Sequence, residues 1–175
     1  MHRIAIGILL ACTVLFSQTT PAKKKTMAAH HGHKVTAPDS LKWMPPPPEA
    51  VQGQPPADLP PMRSQIAVID GDPTKPGLPF VIRIKSPDGE VVPPHWHPAD
   101  EHVTVLQGTF ILADGEKYSE SGGAALNAGA YVSIPKRMWH YGRVKGDTIL
   151  QIHGIGPFVI NFGPLTAASA KPSGE

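Results

Sequence analysis

Cysteine is almost missing from this chain: of 175 residues, only Cys12 carries a thiol. A chain with one thiol forms no internal disulfide, and metal ligation by several thiolates is excluded. Aromatic residues make up only 6% of the total. No basic stripe interleaved with aromatics occurs, so nucleic-acid binding is not expected. Charge of one sign is not in excess either: 16 Lys and Arg stand against 14 Asp and Glu, and the run Lys23-Lys24-Lys25 more than accounts for the net +2. A long hydrophobic run is lacking too. The most apolar stretch, residues 4–16, is 13 residues long, against the ~20 a helix needs to cross a ~30 Å hydrocarbon core. No stable membrane span is expected.

That short run follows Met1-His2-Arg3 and precedes Thr20-Pro21-Ala22. A basic start, an apolar centre and a small-residue end make a secretory signal peptide over residues 1–22. Cleavage after Ala22 yields a secreted or periplasmic protein without cysteine, so any metal must be held by nitrogen and oxygen. An alternative is a lipoprotein, because Leu9-Leu10-Ala11-Cys12 resembles a lipid-attachment box. Residues 23–42 read as a flexible segment containing Lys and the tract His30-His31-Gly32-His33. Such a tract is a weak metal binder or simply a tail.

Proline, by contrast, is abundant at 21 residues, and residues 43–61 are dense in it. Proline fixes φ and lacks an N–H, so this stretch is expected to be an extended lead-in, neither helix nor central strand, with Trp43 as its anchor. From residue 65 onward the pattern is one of short strands between turn signals. Phe80, Ile82 and Ile84 alternate with Val81, Arg83 and Lys85, the period of a half-buried strand. Residues 66–69, 102–112, 131–134, 148–153 and 157–162 are further strand candidates. Asp70-Gly71-Asp72-Pro73, Asp88-Gly89 and Asp114-Gly115 mark turns. No window from residue 60 to 165 shows a capped helical period. The expectation is one all-β sandwich or barrel over residues 43–165, with a disordered tail at 166–175.

The stretch Pro93-Pro94-His95-Trp96-His97-Pro98-Ala99-Asp100-Glu101 carries chemistry. Strand parity projects His95 and His97 to one face and Trp96 to the other. Glu101 shares a face with Val103 and Val105 and so points inward, where a lone carboxylate is costly unless paired or bound to a metal. The same parity sends His102 outward, away from any ligand set.

These residues resemble the cupin superfamily. Its first motif is matched at every spacing by Gly89, His95, His97, Glu101 and Gly108. Its second is matched by Gly129, Pro135 and His140, and departs at Arg137, where Gly is usual, and at Val144, where Asn is usual. The resemblance implies a double-stranded β-helix, or jelly-roll barrel, of the small single-domain, type-2-like kind. It also implies one divalent transition metal held by His95, His97, Glu101 and His140. Three imidazoles and a carboxylate suit Mn, Fe, Ni, Cu or Zn and leave coordination positions for a small molecule.

Gln151 and His153 are candidate pocket residues or exterior ones, depending on which face of their strand lines the barrel. Trp96, Trp139 and Tyr141 read as packing or interface residues beside the ligands, and a homodimer is expected because cupins often pair. No catalytic acid or base is identifiable beyond His153. Two functions remain open: a metal-dependent enzyme, an oxidoreductase of dioxygenase type acting on a small molecule, and a non-catalytic cupin that binds or senses a small molecule or metal.

Overall fold

The computed structural model describes residues 32–165. The expected signal peptide, His30 and His31, and the tail at residues 166–175 lie outside the described residues. The chain divides into two units, residues 1–35 and 36–175, and every strand among the described residues belongs to the second. That unit begins at Thr36, whose hydroxyl donates to Ile69 O at 3.3 Å, whereas the sequence places the domain's start at Trp43.

Among the described residues nine strands follow in chain order: β1 (Val51–Gln52), β2 (Gln65–Gly71), β3 (Pro79–Ser86), β4 (Val91–His95), β5 (Glu101–Asp114), β6 (Ala124–Asn127), β7 (Tyr131–Ile134), β8 (His140–Ile155) and β9 (Ile160–Asn161). Among the described residues the only helical turns are two short 3-10 pieces, Pro38–Ser40 and Pro48–Ala50. The second is a small departure from the expected extended lead-in. Pro48 opens it, and a proline's preset φ suits the first position of a helical turn. Trp43 is half-buried, with the Lys85 ammonium 5.0 Å from its ring centre. The lead-in is tied down through Met44, bridged to Ile66, and through β1, which lies parallel to β9.

The two long strands make the barrel. β5 and β8 pair from His102↔His153 to Asp114↔His140, with register shifts around Gln107. Their first pairing region is flanked by β3 on the β8 side and β7 on the β5 side. Their second is flanked by β4 and β6. Each long strand therefore serves two curved sheets, and the space between them is the interior of the jelly roll. Alternation decides what fills it: Ile82, Val103, Val105, Phe110, Leu150 and Ile152 point inward and are buried. Each side chain of this size stabilises the fold by about 1.5–3 kcal/mol relative to exposure.

Gly108 sits where β5 bends, at φ +73°. A Cβ there would collide with the Thr148 hydroxyl and lie 2.8 Å from Asp147 O. The position demands both a left-handed backbone and a missing side chain. Gly108→Ala is expected to cost about 2–4 kcal/mol, seen as a lower urea midpoint at unchanged m-value. A loss below about 0.5 kcal/mol, the size of an ordinary surface substitution, would show that the bend does not depend on this glycine.

Candidate metal centre

Among the described strands β4 pairs only with β8, and its register slips between Val92 and His95. Pro93 and Pro94 fill that slip. They have no N–H to offer a ladder, so the irregularity falls where it costs least. It also places the Pro93 carbonyl 2.7 Å from Nδ1 of His95. Trp96 is locked to Asn161 by a reciprocal pair of backbone bonds of 3.1 and 3.0 Å. His97 follows, its carbonyl accepting from Arg137 N at 2.8 Å. Arg137, standing where a glycine is usual in the resembling motif, holds φ +65° and is the only described non-glycine residue at positive φ. Glu101 opens β5 and His140 opens β8.

His95, His97 and His140 come together, their ligand nitrogens within 4.8 Å of one another and all three rings buried. Each ring is oriented by a backbone carbonyl: His95 by Pro93 at 2.7 Å, His97 by Val159 at 2.7 Å and His140 by Met138 at 3.0 Å. A carbonyl only accepts, so the proton sits on each Nδ1 and each Nε2 is left with a bare lone pair. Glu101 Oε2 lies 3.5 Å from Nε2 of His97 and 3.5 Å from Nε2 of His140. Phe158 stacks on the His97 ring, with centroids 4.9 Å apart and planes 22° apart.

Burial governs the titration of all four groups. It pushes His97 down to about 4. It also pushes His95 well below the ordinary histidine value, with help from the neighbouring His140 and His97 charges. His140 is lowered by burial, with Glu101 opposing. Glu101 is raised by burial, with His140 and His102 opposing. The imidazoles are therefore neutral at neutral pH, so their approach to Glu101 is no ion pair despite the 3.5 Å separations. The cluster is a set of acceptors facing one another with no donor between them, and His97 Nε2 has no hydrogen-bond partner. A proton on Glu101 could serve one acceptor, whereas a divalent cation would suit the three gathered imidazole nitrogens with Glu101 beside two of them. Donors about 2.1 Å from one metal lie ~3.0 Å apart at right angles and ~3.4 Å apart at tetrahedral angles, close to the 3.5 Å that separates Glu101 Oε2 from Nε2 of His97 and of His140, while the three imidazole nitrogens lie within 4.8 Å of one another. The residues fit a metal.

The cluster heads a cavity of about 70 Å³ whose walls are apolar, among them Ile84, Val103, Phe110, Leu150 and Ile152. Ser64 and Ser86, hydrogen-bonded to each other at 2.7 Å, are small polar exceptions. Above Ser64, the buried Glu90 carboxylate accepts from the Arg63 and Ser64 amides at 2.6 and 2.9 Å, holding that segment against the cavity. No acid or base other than the four clustered residues lines this space.

Gln151 and His153 do not line it. Leu150 and Ile152 take the inward positions of β8, so their neighbours face out. Gln151 accepts from Arg83 Nε at 3.1 Å, and His153 stacks on His102 with ring centroids 5.0 Å apart. Of the two placements the sequence left open, both residues take the exterior one. His102 points outward and engages the Tyr131 hydroxyl at 2.7 Å. Trp96 and Tyr141 turn away from the cluster yet are only 2% and 5% exposed. The chain itself covers Trp96, whose indole N–H donates to Gly163 O at 2.9 Å. Sequence reasoning missed Phe158 and the carbonyls of Pro93, Met138 and Val159. A backbone acceptor leaves no residue-type signal.

Residues 83–156 match the family model Cupin_2, described as "Cupin domain", a span that contains all four clustered residues. No curated protein matches the chain. Among solved structures, the polyketide cyclase RemF from Streptomyces resistomycificus is similar at 14% identity and TM-score 0.51, over 79% of this chain and 90% of that one. An RmlC-like cupin from Shewanella frigidimarina is similar at 11% identity and TM-score 0.50, over 70% of this chain and 90% of that one. At such identities the likeness speaks for the fold. Residues 83–156 thus match a cupin domain, and the fold is consistent with a cupin jelly roll.

Proposed function

We propose that this cupin-fold protein holds one divalent transition metal (Mn, Fe, Ni, Cu or Zn) between His95, His97, Glu101 and His140, and acts with it as an oxidoreductase on a small, largely apolar molecule. The observation that carries this reading is the convergence of three bare Nε2 atoms and a buried carboxylate, with no donor among them, at the head of an apolar cavity. When bound, such a metal supplies a Lewis-acid or redox centre. The chain's own residues do the rest. Three carbonyls hold the imidazoles in the ligating tautomer, the apolar walls exclude water, and the small cavity limits the size of what enters. Export behind the N-terminal apolar run and assembly as a homodimer belong to the same proposal.

A second reading is favoured by the cavity's lack of any further acid or base: a non-catalytic cupin that binds or senses a small molecule or the metal. Elemental analysis of the untagged protein, paired with oxygen uptake over small carbonyl and phenolic compounds, separates the two. One metal per chain and metal-dependent oxygen consumption, lost in His140→Ala, are expected. Stoichiometric metal with no turnover across the screen would assign the chain to the binding class.

A further inference from the structure

The cluster is approached from two sides. The apolar cavity meets one side. On the other, a void of about 10 Å³ is bounded by His97, Glu101 and Phe158, which it shares with that cavity, and by Phe80, Ala99 and Ile155. The last three also line a surface groove of about 630 Å³, floored in part by the stacked His102 and His153 rings. Void and groove thus share Phe80, Ala99, Asp100 and Ile155 as walls, which sets the groove, the void and the His97–Glu101 edge of the cluster in series from the outer face of β3 and β8 inward.

The width of that line is set by identifiable features. Phe80 and Phe158 pack edge to face, centroids 5.7 Å apart, and fix one wall. Gly154 contributes no side chain to the groove; a Cβ there would lie 3.1 Å from Asp100 O and 3.4 Å from the Phe80 ring. Ala99 is the smallest side chain that still closes a wall. A void of about 10 Å³ matches the ~10–15 Å³ that a single water requires. At that size it has room for a water or a comparably thin ligand and for nothing bulkier.

We propose that this void is a second entrance, through which a ligand of one to three atoms reaches the metal position at His97 and Glu101 without crossing the apolar cavity. The larger, apolar molecule uses the cavity; the small co-ligand uses the passage. This rests on the metal reading above. Its chemical class of ligand is water, a diatomic gas or an azide-like anion.

The test uses the full chain loaded with one equivalent of copper(II) and azide as the probe, with binding followed by stopped-flow absorbance. Ala99→Phe fills the passage, and Ile155→Trp, at a half-exposed position that leaves the core alone, covers its outer end. Gln65→Trp narrows the apolar cavity instead. Both back-side variants are expected to bind copper as wild type does and to lose about tenfold or more in the azide on-rate, the lower end of what an obstructed approach produces. Gln65→Trp should leave that rate unchanged. Copper-loaded Ala99→Phe and Ile155→Trp with wild-type azide rates, and a slowed Gln65→Trp, would overturn the second entrance while leaving the metal reading intact. A wild-type chain that takes up no stoichiometric copper would overturn both.

Discussion

Replacing His95 and His97 together by alanine is expected to abolish stoichiometric metal binding and to bring the melting temperature down to that of chelator-treated wild type. The reason lies in the convergence on one point. Removing two of the three bare Nε2 atoms leaves His140 and Glu101, a pair that many protein surfaces offer. A metal at a thousandfold excess over its Kd stabilises the state that binds it by about 4 kcal/mol. For a domain of this size that is roughly 10 °C in melting temperature. The metal-free double variant should lose much less, since it also removes an acceptor, His97 Nε2, that is buried without a partner. His102→Ala is the control on the adjoining strand. Its ring engages the Tyr131 hydroxyl outside the barrel, so that variant should keep its metal, as should a chain lacking residues 23–35. One metal per chain retained by the double variant would sink the ligand assignment.

Acid should strip the metal and destabilise the fold, and the two effects separate by comparing loaded and chelated protein from pH 8 to pH 4. His97 titrates near about 4 when folded, against 6.5 ordinarily. Between those values the unfolded chain binds a proton that the folded chain does not, so stability falls as pH falls through that window. A shift of this size corresponds to about 3 kcal/mol. His95 and His140 are lowered too and act in the same direction. Glu101 acts oppositely. Its raised value means the folded metal-free chain holds an extra proton above 4.5, so its contribution to stability declines as pH rises. A bound cation removes that opposition by favouring the carboxylate. Loaded protein should therefore be most stable at neutral pH and release its metal below the free histidine value of ~6.5, with uptake of up to three protons. Chelated protein should show a shallower profile, and chelated Glu101→Gln a steeper one, more stable than chelated wild type at pH 7.5. A wild-type melting temperature indifferent to chelator at pH 7.5 would contradict any support of the fold by metal.

The strands were legible where side chains alternate and bend points are few. Phe80, Ile82 and Ile84 announce β3, and Val103 and Val105 place Glu101 inward. β6 was not legible, because Ala-Ala-Leu-Asn at a sheet edge has neither bulk nor period. The first half of β8 was hidden by its glycines. Gly142 interrupts the hydrophobic pattern because the Phe110 ring occupies the space its side chain would need. For Gln151 and His153, alternation fixed which residues share a face but not which face meets the interior. That depends on the pairing Val103↔Ile152 across β5 and β8, a contact between distant parts of the chain. Arg137 was the reverse case: a residue in the place of a usual glycine still adopts the left-handed backbone the turn requires.

The carbonyl that orients His97 belongs to Val159, 62 positions further along the chain, and the ring stacked on it belongs to Phe158. A polypeptide emerging from the ribosome presents all four clustered side chains once residue 140 is out, yet the latch that fixes the His97 tautomer comes almost twenty residues later. The order of synthesis therefore keeps the site unfinished until nearly the whole domain has been made. A chain stopped short of Val159 would carry all four clustered side chains, with His95 and His140 still oriented by Pro93 and Met138 but His97 without the carbonyl that fixes its tautomer.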